Sequence, residues 1–335
     1  MEAQKNIILS VKGLKVHFPL TKGITKRQIG YVRAVEDVTF DVERGKTVGI
    51  VGESGCGKTT TGKAILRMVN ATDGEIYLNG ENLLKMTPHE HDKVKRKVQM
   101  IFQDPYGSLD PRQKASSIIR EILVEDGKHH TSEELDRRTQ QLLTMVGLSE
   151  EIGERYPHEM SGGQRQRVGI ARALACNPDL IICDEPVSAL DVSIQAQIIN
   201  LLTKLQKELG LTYLFIAHDL AVVRHIADTV YVMYLGKFVE KMRSDEMFSS
   251  PLHPYTKALL SAIPVVDYHM EKMRKRIELS GEVPSPIHAP TGCPFHPRCP
   301  HATEICKEKM PEMEVAFGDH EVACHHYKEL MPEQQ

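Results

Sequence analysis

Long apolar runs are missing from this chain: the longest uninterrupted one is the six residues from Val230 to Leu235, against about 20 for a membrane-crossing helix. That excludes a spanning helix of its own, so any work at a membrane would need other subunits to cross it. An excess of one charge sign is missing too, since 42 Lys and Arg face 45 Asp and Glu for a formal net charge of -3. This balance gives no support for general binding to nucleic acid or to an anionic membrane surface, although a local basic patch is compatible with it. The opening segment, MEAQKNIILSVKGLKVHF, lacks the charged start, apolar stretch and cleavage site of a signal peptide. Export is therefore not expected, and the alternation of apolar and polar residues predicts an edge strand. Cysteine is scarce over the first 290 residues, with only Cys56, Cys176 and Cys183, so a disulfide framework is excluded there. No internal repeat or low-complexity tract stands out.

What is present is enough chain, 335 residues, for roughly two domains with a sizeable core. Thr47 to Val51 reads as a short buried strand, a glycine-rich turn follows, and TTTGKAILRMV reads as a helix. The same order recurs in LIICDEP, a buried strand, followed by Ile194, Ile198, Leu201, Leu205 and Leu209 at helical spacing until Gly210, and then by the strand LTYLFIA. Strands alternating with helices predict an α/β fold with a parallel sheet covered on both faces. The stretch from about residue 104 to 168 is charged and helix-prone, with a capping box predicted from Thr131 to Glu134. It reads as a helical insertion. Beyond about residue 250 the texture changes again, because 11 of the 18 prolines fall there, which predicts a separate C-terminal module.

GESGCGKT, Gly52 to Thr59, fits the phosphate-loop pattern and lies between a strand and a helix, the context that pattern needs. Gly52, Glu53, Ser54, Gly55, Cys56, Gly57, Lys58, Thr59 and Thr60 are the candidate nucleotide-binding residues. Glycines let consecutive backbone N–H groups turn inward around a β-phosphate, the helix N-terminus adds partial positive charge, and Lys58 reaches the β- and γ-phosphates. The Thr59 hydroxyl would bind Mg²⁺. LIICDEP supplies the complementary half: Asp184 is placed for Mg²⁺, through water, and Glu185 for the attacking water as general base or orienting group.

A phosphate loop alone could serve a GTPase, a nucleotide kinase or a motor, and no N-K-x-D guanine-reading motif occurs. MSGGQRQRVGIARALACNPD at residues 160 to 179 resembles the signature of ATP-binding-cassette (ABC) ATPases, with Ser161, Gly162, Gly163 and Gln164 matching its core and Met160 standing where leucine is more usual. It is a serine helix cap with glycines, a second phosphate-binding end. Gln103 in MIFQDP matches the Q-loop glutamine, Asp191 in SALD the D-loop, and His218 in IAHD the switch histidine. The resemblance implies the P-loop NTPase fold of these ATPases with a helical subdomain. It further implies two cassettes sandwiching two ATP molecules, with Gln103 sensing Mg²⁺ and nucleophilic water, and His218 contacting the γ-phosphate. Adenine needs an aromatic platform: Phe18 lies where many cassettes carry it, and Tyr31 competes, being nearer in sequence.

The tail, SPLHPYTKALLSAIP followed by LSGEVPSPIHAPTGCPFHPRCPHA, together with IFQDPYGSLDPR and DEPVSALDVSIQAQIINLL, resembles the F-type ATPase subunit of oligopeptide and dipeptide importers. The resemblance implies a paralogous D-type ATPase (or a second copy of this chain) as partner. It also implies two membrane permease subunits, an extracellular binding protein, no nucleic acid, and a peripheral location on the cytoplasmic face of the cell membrane. Nickel importers use similar chains, so a nickel cargo stays open, as does, more remotely, a soluble ABC ATPase. Domain boundaries are placed at 1–250 for the ATPase and 251–335 for a small Cys-rich metal module.

Cys293, Cys299, Cys306 and Cys324 fall within this module, and members of the resembling group can hold a four-iron, four-sulfur cluster ([4Fe-4S]) on such a segment. Zn²⁺ on four thiolates is chemically possible too, and plain buried or redox-active thiols are the remaining reading, with the iron-sulfur cluster preferred. His296, His301, His320, His325 and His326 crowd the same region. Cys56 needs only to be small, with alkylation expected in the absence of ATP, while Cys176 and Cys183 are expected to pack at a helix end and within a strand.

Overall fold

The computed structural model describes residues 6–23, 27–104, 106–126, 131–263 and 277–331; residues 1–5 of the opening segment, Pro105 in MIFQDP and Pro264 in the tail lie outside these. The elements follow one another as β1 (Ile7–Lys22), β2 (Arg27–Glu43), β3 (Thr47–Val51), α1 (Lys58–Ile65), β4 (Asp73–Leu78), β5 (Glu81–Asn82), α2 (Pro88–Val94) and β6 (Val98–Ile101). Next come α3 (Ala115–Asp126), α4 (Ser132–Met145), α5 (Glu150–Gly153), α6 (Gly162–Leu174), β7 (Leu180–Asp184), α7 (Val192–Leu209), β8 (Thr212–Ala217) and α8 (Leu220–Ile226). The last are β9 (Thr229–Tyr234), β10 (Lys237–Arg243), α9 (Pro254–Ser261), α10 (Glu304–Glu308), β11 (Glu314–Phe317), β12 (His320–Val322) and α11 (Tyr327–Leu330).

The chain divides into two compact units, one made of Met1–Ile8, Val42–Lys46 and Lys85–Ile216, the other of Leu9–Asp41, Thr47–Leu84 and Ala217–Gln335. In the first, β6, β7 and β8 run parallel, Ile101 opposite Cys183 and Cys183 opposite Phe215. β7 is buried along its whole length, the burial expected of a strand covered on both faces. The stretch read as a helical insertion contains α3, α4 and α5. α4 opens on the capping box expected from its sequence: the Thr131 hydroxyl accepts from the Glu134 amide at 3.2 Å and the Glu134 carboxylate accepts from the Thr131 amide at 3.2 Å. α7 buries Ile198, Ile199, Leu201, Leu202 and Leu205 and stops at Gly210, whose φ of 67° is the left-handed conformation of a glycine C-cap.

In the second unit a four-stranded sheet has the order β2-β1-β4-β5, with β1 and β4, and β4 and β5, antiparallel. β1 is therefore an interior strand, not the edge strand its alternation suggested. Period-two patterning reports that one face is buried, which is equally true of inner and outer strands. The unit's other strands pair β3 with β9 in parallel, then β9 with β10, β10 with β12 and β12 with β11, all antiparallel. The expected parallel pairing thus holds for β6, β7 and β8 and for β3 with β9, and the strands from β10 onward add antiparallel neighbours. A tight hairpin at Leu235 and Gly236, with φ of 44° and 78°, reverses the chain after β9, and positive φ at both positions is what a two-residue hairpin demands.

One strand of this sheet carries a buried polar group. Glu240 on β10 is fully buried; its carboxylate accepts from the amides of Leu252 (2.6 Å) and His253 (3.1 Å) and from His320 Nε2 (2.8 Å). His253 in turn caps α9 through Nδ1, which accepts from the Tyr255 amide at 3.1 Å. Burial pulls the His253 imidazole down to about 4, against an opposing pull from Glu240. The folded chain keeps this ring neutral where the unfolded chain takes up a proton, so the stability it supports is complete above the ordinary histidine range and is lost as pH falls from about 6.5 toward 4. Thermal unfolding should show a loss of up to roughly 3 kcal/mol over that window. In His253→Asn, which caps without titrating, that part of the slope should vanish.

Candidate functional site

The candidate site residues fall into two sets, one in each unit. In the second unit, Gly52 to Thr59 wrap from the end of β3 into α1, whose N-cap is Gly57 with φ of 111°. That conformation strains any L side chain, and a Cβ at this position would stand 2.2 Å from the Ala34 carbonyl oxygen. Glycine is the residue that fits. Lys58 is 4% exposed, and its ammonium donates to the carbonyls of Gly52 (2.7 Å) and Glu53 (2.9 Å), which folds the side chain back over its own loop. The loop is also held from behind, with the Cys56 carbonyl accepting from the Gly236 amide at 2.8 Å and the Glu53 amide donating to the Tyr255 hydroxyl at 2.8 Å. Ser54 and Gly55 form its turn, while Thr59 and Thr60 open α1. Cys56 is buried and its thiol is pushed up by that burial, with Lys58 acting against the shift. The alkylation expected at this cysteine does not fit a buried, protonated thiol.

Phe18 on β1 and Tyr31 on β2 are both exposed. Tyr31 has the His17 ring at 6.2 Å, and His17 Nε2 stands 2.7 Å from the Glu36 carboxylate. His218 is exposed, directly after β8, and Asp219 beside it caps α8 by accepting from the Ala221 amide at 2.8 Å.

In the first unit, Asp184 ends β7 nearly buried at 3% exposure and Glu185 follows with φ of 46°, an uncommon conformation for a side-chain-bearing residue. The Glu185 amide donates to the Ile216 carbonyl on β8 at 2.9 Å, which anchors the turn. Gln103, after β6, donates from Nε2 to the Glu185 carboxylate at 2.9 Å. Two residues 82 apart in sequence thus meet because β6 and β7 are parallel neighbours.

Ser161 caps α6 and forms a complete capping box: its hydroxyl accepts from the Gln164 amide at 3.3 Å and the Gln164 side chain accepts from the Ser161 amide at 3.0 Å. Gly162 and Gly163 open the helix, and a Cβ on Gly163 would come within 2.7 Å of Ile194 on α7. Met160, in place of the more usual leucine, is buried at this turn. Asp191 occupies the N-cap of α7 without a capping bond from its side chain and is exposed.

Cys293, Cys299, Cys306 and Cys324 line one cavity together with several histidines, so the tail does gather its thiols. The iron-sulfur assignment is nevertheless corrected. Among the described residues no group of three or more His, Cys, Asp or Glu is set to hold a metal ion, which removes the iron-sulfur reading and speaks equally against zinc. Burial instead favours the protonated thiol, pushing Cys293 up to about 12 and Cys324 up to about 11, and raising Cys299. Sequence spacing counts cysteines without stating whether their sulfurs converge, and His296 and His326 here bond protein partners, the Cys293 carbonyl at 2.9 Å and the Thr303 hydroxyl at 2.8 Å. Cys176 and Cys183 are buried at the end of α6 and within β7, as expected. Arg298 and Tyr255, which bond Glu53, were missed; Arg298 lies inside the cysteine-rich stretch that was read for metal alone.

Comparison with known proteins adds identity to this geometry. The ABC transporter family model matches residues 35–188, and the model of the oligopeptide/dipeptide transporter C-terminal region matches residues 239–306. The chain is 51% identical over 326 residues to the oligopeptide transport ATP-binding protein AppF of Bacillus subtilis, covering 97% of this chain and 99% of that one. It is 49% identical over 325 residues to the oligopeptide transport ATP-binding protein OppF of Salmonella typhimurium, covering 96% of each. To the dipeptide transport ATP-binding protein DppF of Haemophilus influenzae it is 48% identical over 322 residues, with 95% and 96% covered. Among solved structures it resembles the ATP-binding cassette MJ0796, determined as a dimer in a post-hydrolysis state bound to ADP and Pi, with a TM-score of 0.63, 29% identity, and coverage of 71% of this chain and 99% of that one.

Proposed function

Because this chain belongs to the ATP-binding subunits of oligopeptide and dipeptide ABC transporters, we propose that it hydrolyses ATP, through the residues described above, to power import of oligopeptides or dipeptides through a membrane permease. The observation that carries the catalytic reading is the phosphate loop, with glycine forced at Gly57 and Lys58 drawn over the loop's own carbonyls. Peptide cargo, over nickel, is favoured by the match of residues 239–306 to the oligopeptide/dipeptide C-terminal region.

The triphosphate lies in the loop from Gly52 to Thr60, held by main-chain N–H groups and by Lys58. Phe18 or Tyr31 supplies the ring on which adenine stacks. Glu185 accepts the proton of the attacking water or orients it, and Gln103, which donates to that carboxylate, fixes its position. His218 contacts the γ-phosphate. For Mg²⁺, Thr59 would offer a hydroxyl, Gln103 an amide oxygen and Asp184, through water, a carboxylate, each a hard oxygen donor of the kind this ion prefers. When bound it neutralises charge on the β- and γ-oxygens.

The related cassette MJ0796 is dimeric, which supports a dimer here, and the transport relatives support its work with a membrane permease. We place Ser161, Gly162, Gly163 and Gln164, with Asp191, against the nucleotide held by the partner's phosphate loop, so that ATP closes the pair and hydrolysis reopens it. The partner is a paralogous D-type subunit or a second copy, and an extracellular binding protein delivers the peptide. Among the described residues no helix is long and apolar enough to cross a membrane, and the chain is assigned to the cytoplasmic face of the cell membrane through its permease. Proteoliposomes holding the assembled transporter and internal ATP should take up labelled di- or oligopeptides and not nickel. ATP-dependent nickel uptake without peptide uptake would overturn the cargo.

A further inference from the structure

The phosphate loop is gripped from outside by two residues that no part of the ATPase reading uses. Arg298, only 8% exposed, donates from Nη1 to Glu53 Oε2 at 2.9 Å and from Nη2 to Glu53 Oε1 at 3.2 Å. This is the two-pronged geometry that makes guanidinium–carboxylate pairs both strong and directional. Tyr255, fully buried on α9, accepts from the Glu53 amide through its hydroxyl at 2.8 Å. Both side chain and main chain of Glu53 are thus tied to residues of the C-terminal extension, 245 and 202 positions later.

These ties rest on a rigid base. Phe295, fully buried, meets Tyr234 edge-on at 5.3 Å and 88°, and stands 5.4 Å from Tyr255, while Tyr234 and Tyr255 are 4.7 Å apart. Three mutually packed rings with such geometry resist displacement. Tyr234 ends β9, the strand paired with β3, and β3 leads into the loop. The consequence for chemistry lies at the other end of Glu53, whose carbonyl accepts from the Lys58 ammonium at 2.9 Å. A displacement of Glu53 therefore moves one of the two carbonyls that orient Lys58.

We propose that Arg298 and Tyr255 are positioning residues for nucleotide binding: by fixing Glu53 they hold the phosphate loop and Lys58 in the arrangement that receives the triphosphate, making the C-terminal extension part of the ATP site. The inference rests on the ATPase reading and deepens it. It assigns the extension a role that needs no metal.

The test is the dissociation constant of magnesium ATP for the full-length chain, measured by titration alongside the melting temperature. Arg298→Ala should weaken binding about tenfold, the loss of one charge-assisted pair, and Arg298→Lys should recover part of it. Glu53→Gln combined with Arg298→Ala should bind no more weakly than Arg298→Ala alone, since both remove the same interaction. Tyr255→Phe keeps the ring in its cluster and deletes the hydroxyl; it should weaken binding about threefold, and it decides the matter if Arg298→Ala does not fold. A merely structural role would lower the melting temperature and leave the dissociation constant of the folded chain unchanged. Unchanged affinity in folded Arg298→Ala or Tyr255→Phe, or losses that multiply in the double variant, would overturn the proposal. Wild-type chain in the same titration separates the two readings: failure of wild type to bind sinks the ATPase assignment, whereas wild-type binding matched by the variants sinks only the positioning role.

Discussion

Replacing Glu185 by glutamine should lower steady-state ATP hydrolysis by about 10²- to 10⁴-fold, the range lost with a general base, while magnesium ATP binding stays within about twofold. The reason lies in what the substitution changes. Glutamine matches the carboxylate in size, so the turn after β7, anchored by the Glu185 amide on Ile216, has no cause to move. The basic oxygen proposed to take the proton from water is gone. Gln103 Nε2, which now donates to that oxygen at 2.9 Å, can still donate to the amide oxygen of the substituted side chain, so the local hydrogen bond survives and the loss is chemical. Hydrolysis and nucleotide affinity measured on the same preparation check this. Unaltered turnover would remove Glu185 from the reaction.

The second large effect is expected at Lys58. In Lys58→Ala, magnesium ATP should bind about 100-fold more weakly, since one ammonium makes charge-assisted contacts to the β- and γ-phosphates worth about 3 kcal/mol together. Ligand-induced stabilisation reads this directly. Nucleotide at 100 times its wild-type dissociation constant should stabilise the wild-type chain by about 2.7 kcal/mol and the variant by less than about 0.5 kcal/mol. Without nucleotide the variant also loses the ammonium that now serves the Gly52 and Glu53 carbonyls, so its melting temperature should be lower from the start. An equal nucleotide-induced shift in both proteins would contradict the assignment.

What could be read in the sequence depended on distance along the chain. The phosphate loop was legible because strand, turn and helix are contiguous and the glycine requirement at Gly57 is local. The Thr131 capping box and the Gly210 stop were legible for the same reason. Glu185 was legible as the second of two carboxylates ending an apolar strand, and Gln103 was named through a family resemblance; that they touch follows from the parallel pairing of β6 and β7, which no local pattern states. The bonds from Arg298 and Tyr255 to Glu53 span more than two hundred residues and left no signal short of the fold itself. Two readings failed on physical grounds. Alternation in β1 was mistaken for an edge because burial of one face leaves the same pattern on an inner strand. The cysteine spacing was mistaken for a metal site because it fixes the number of thiols and not whether, once gathered around one cavity, they form a metal-holding group.

Calorimetric titration of magnesium ATP into the intact wild-type chain tests the central claim most directly, that Gly52 to Thr60 form a working triphosphate site. The account predicts saturable binding near one nucleotide per chain, abolished by prior addition of a non-hydrolysable ATP analogue. A folded chain that gives no saturable heat, or that binds as well when the analogue already fills the site, would contradict it.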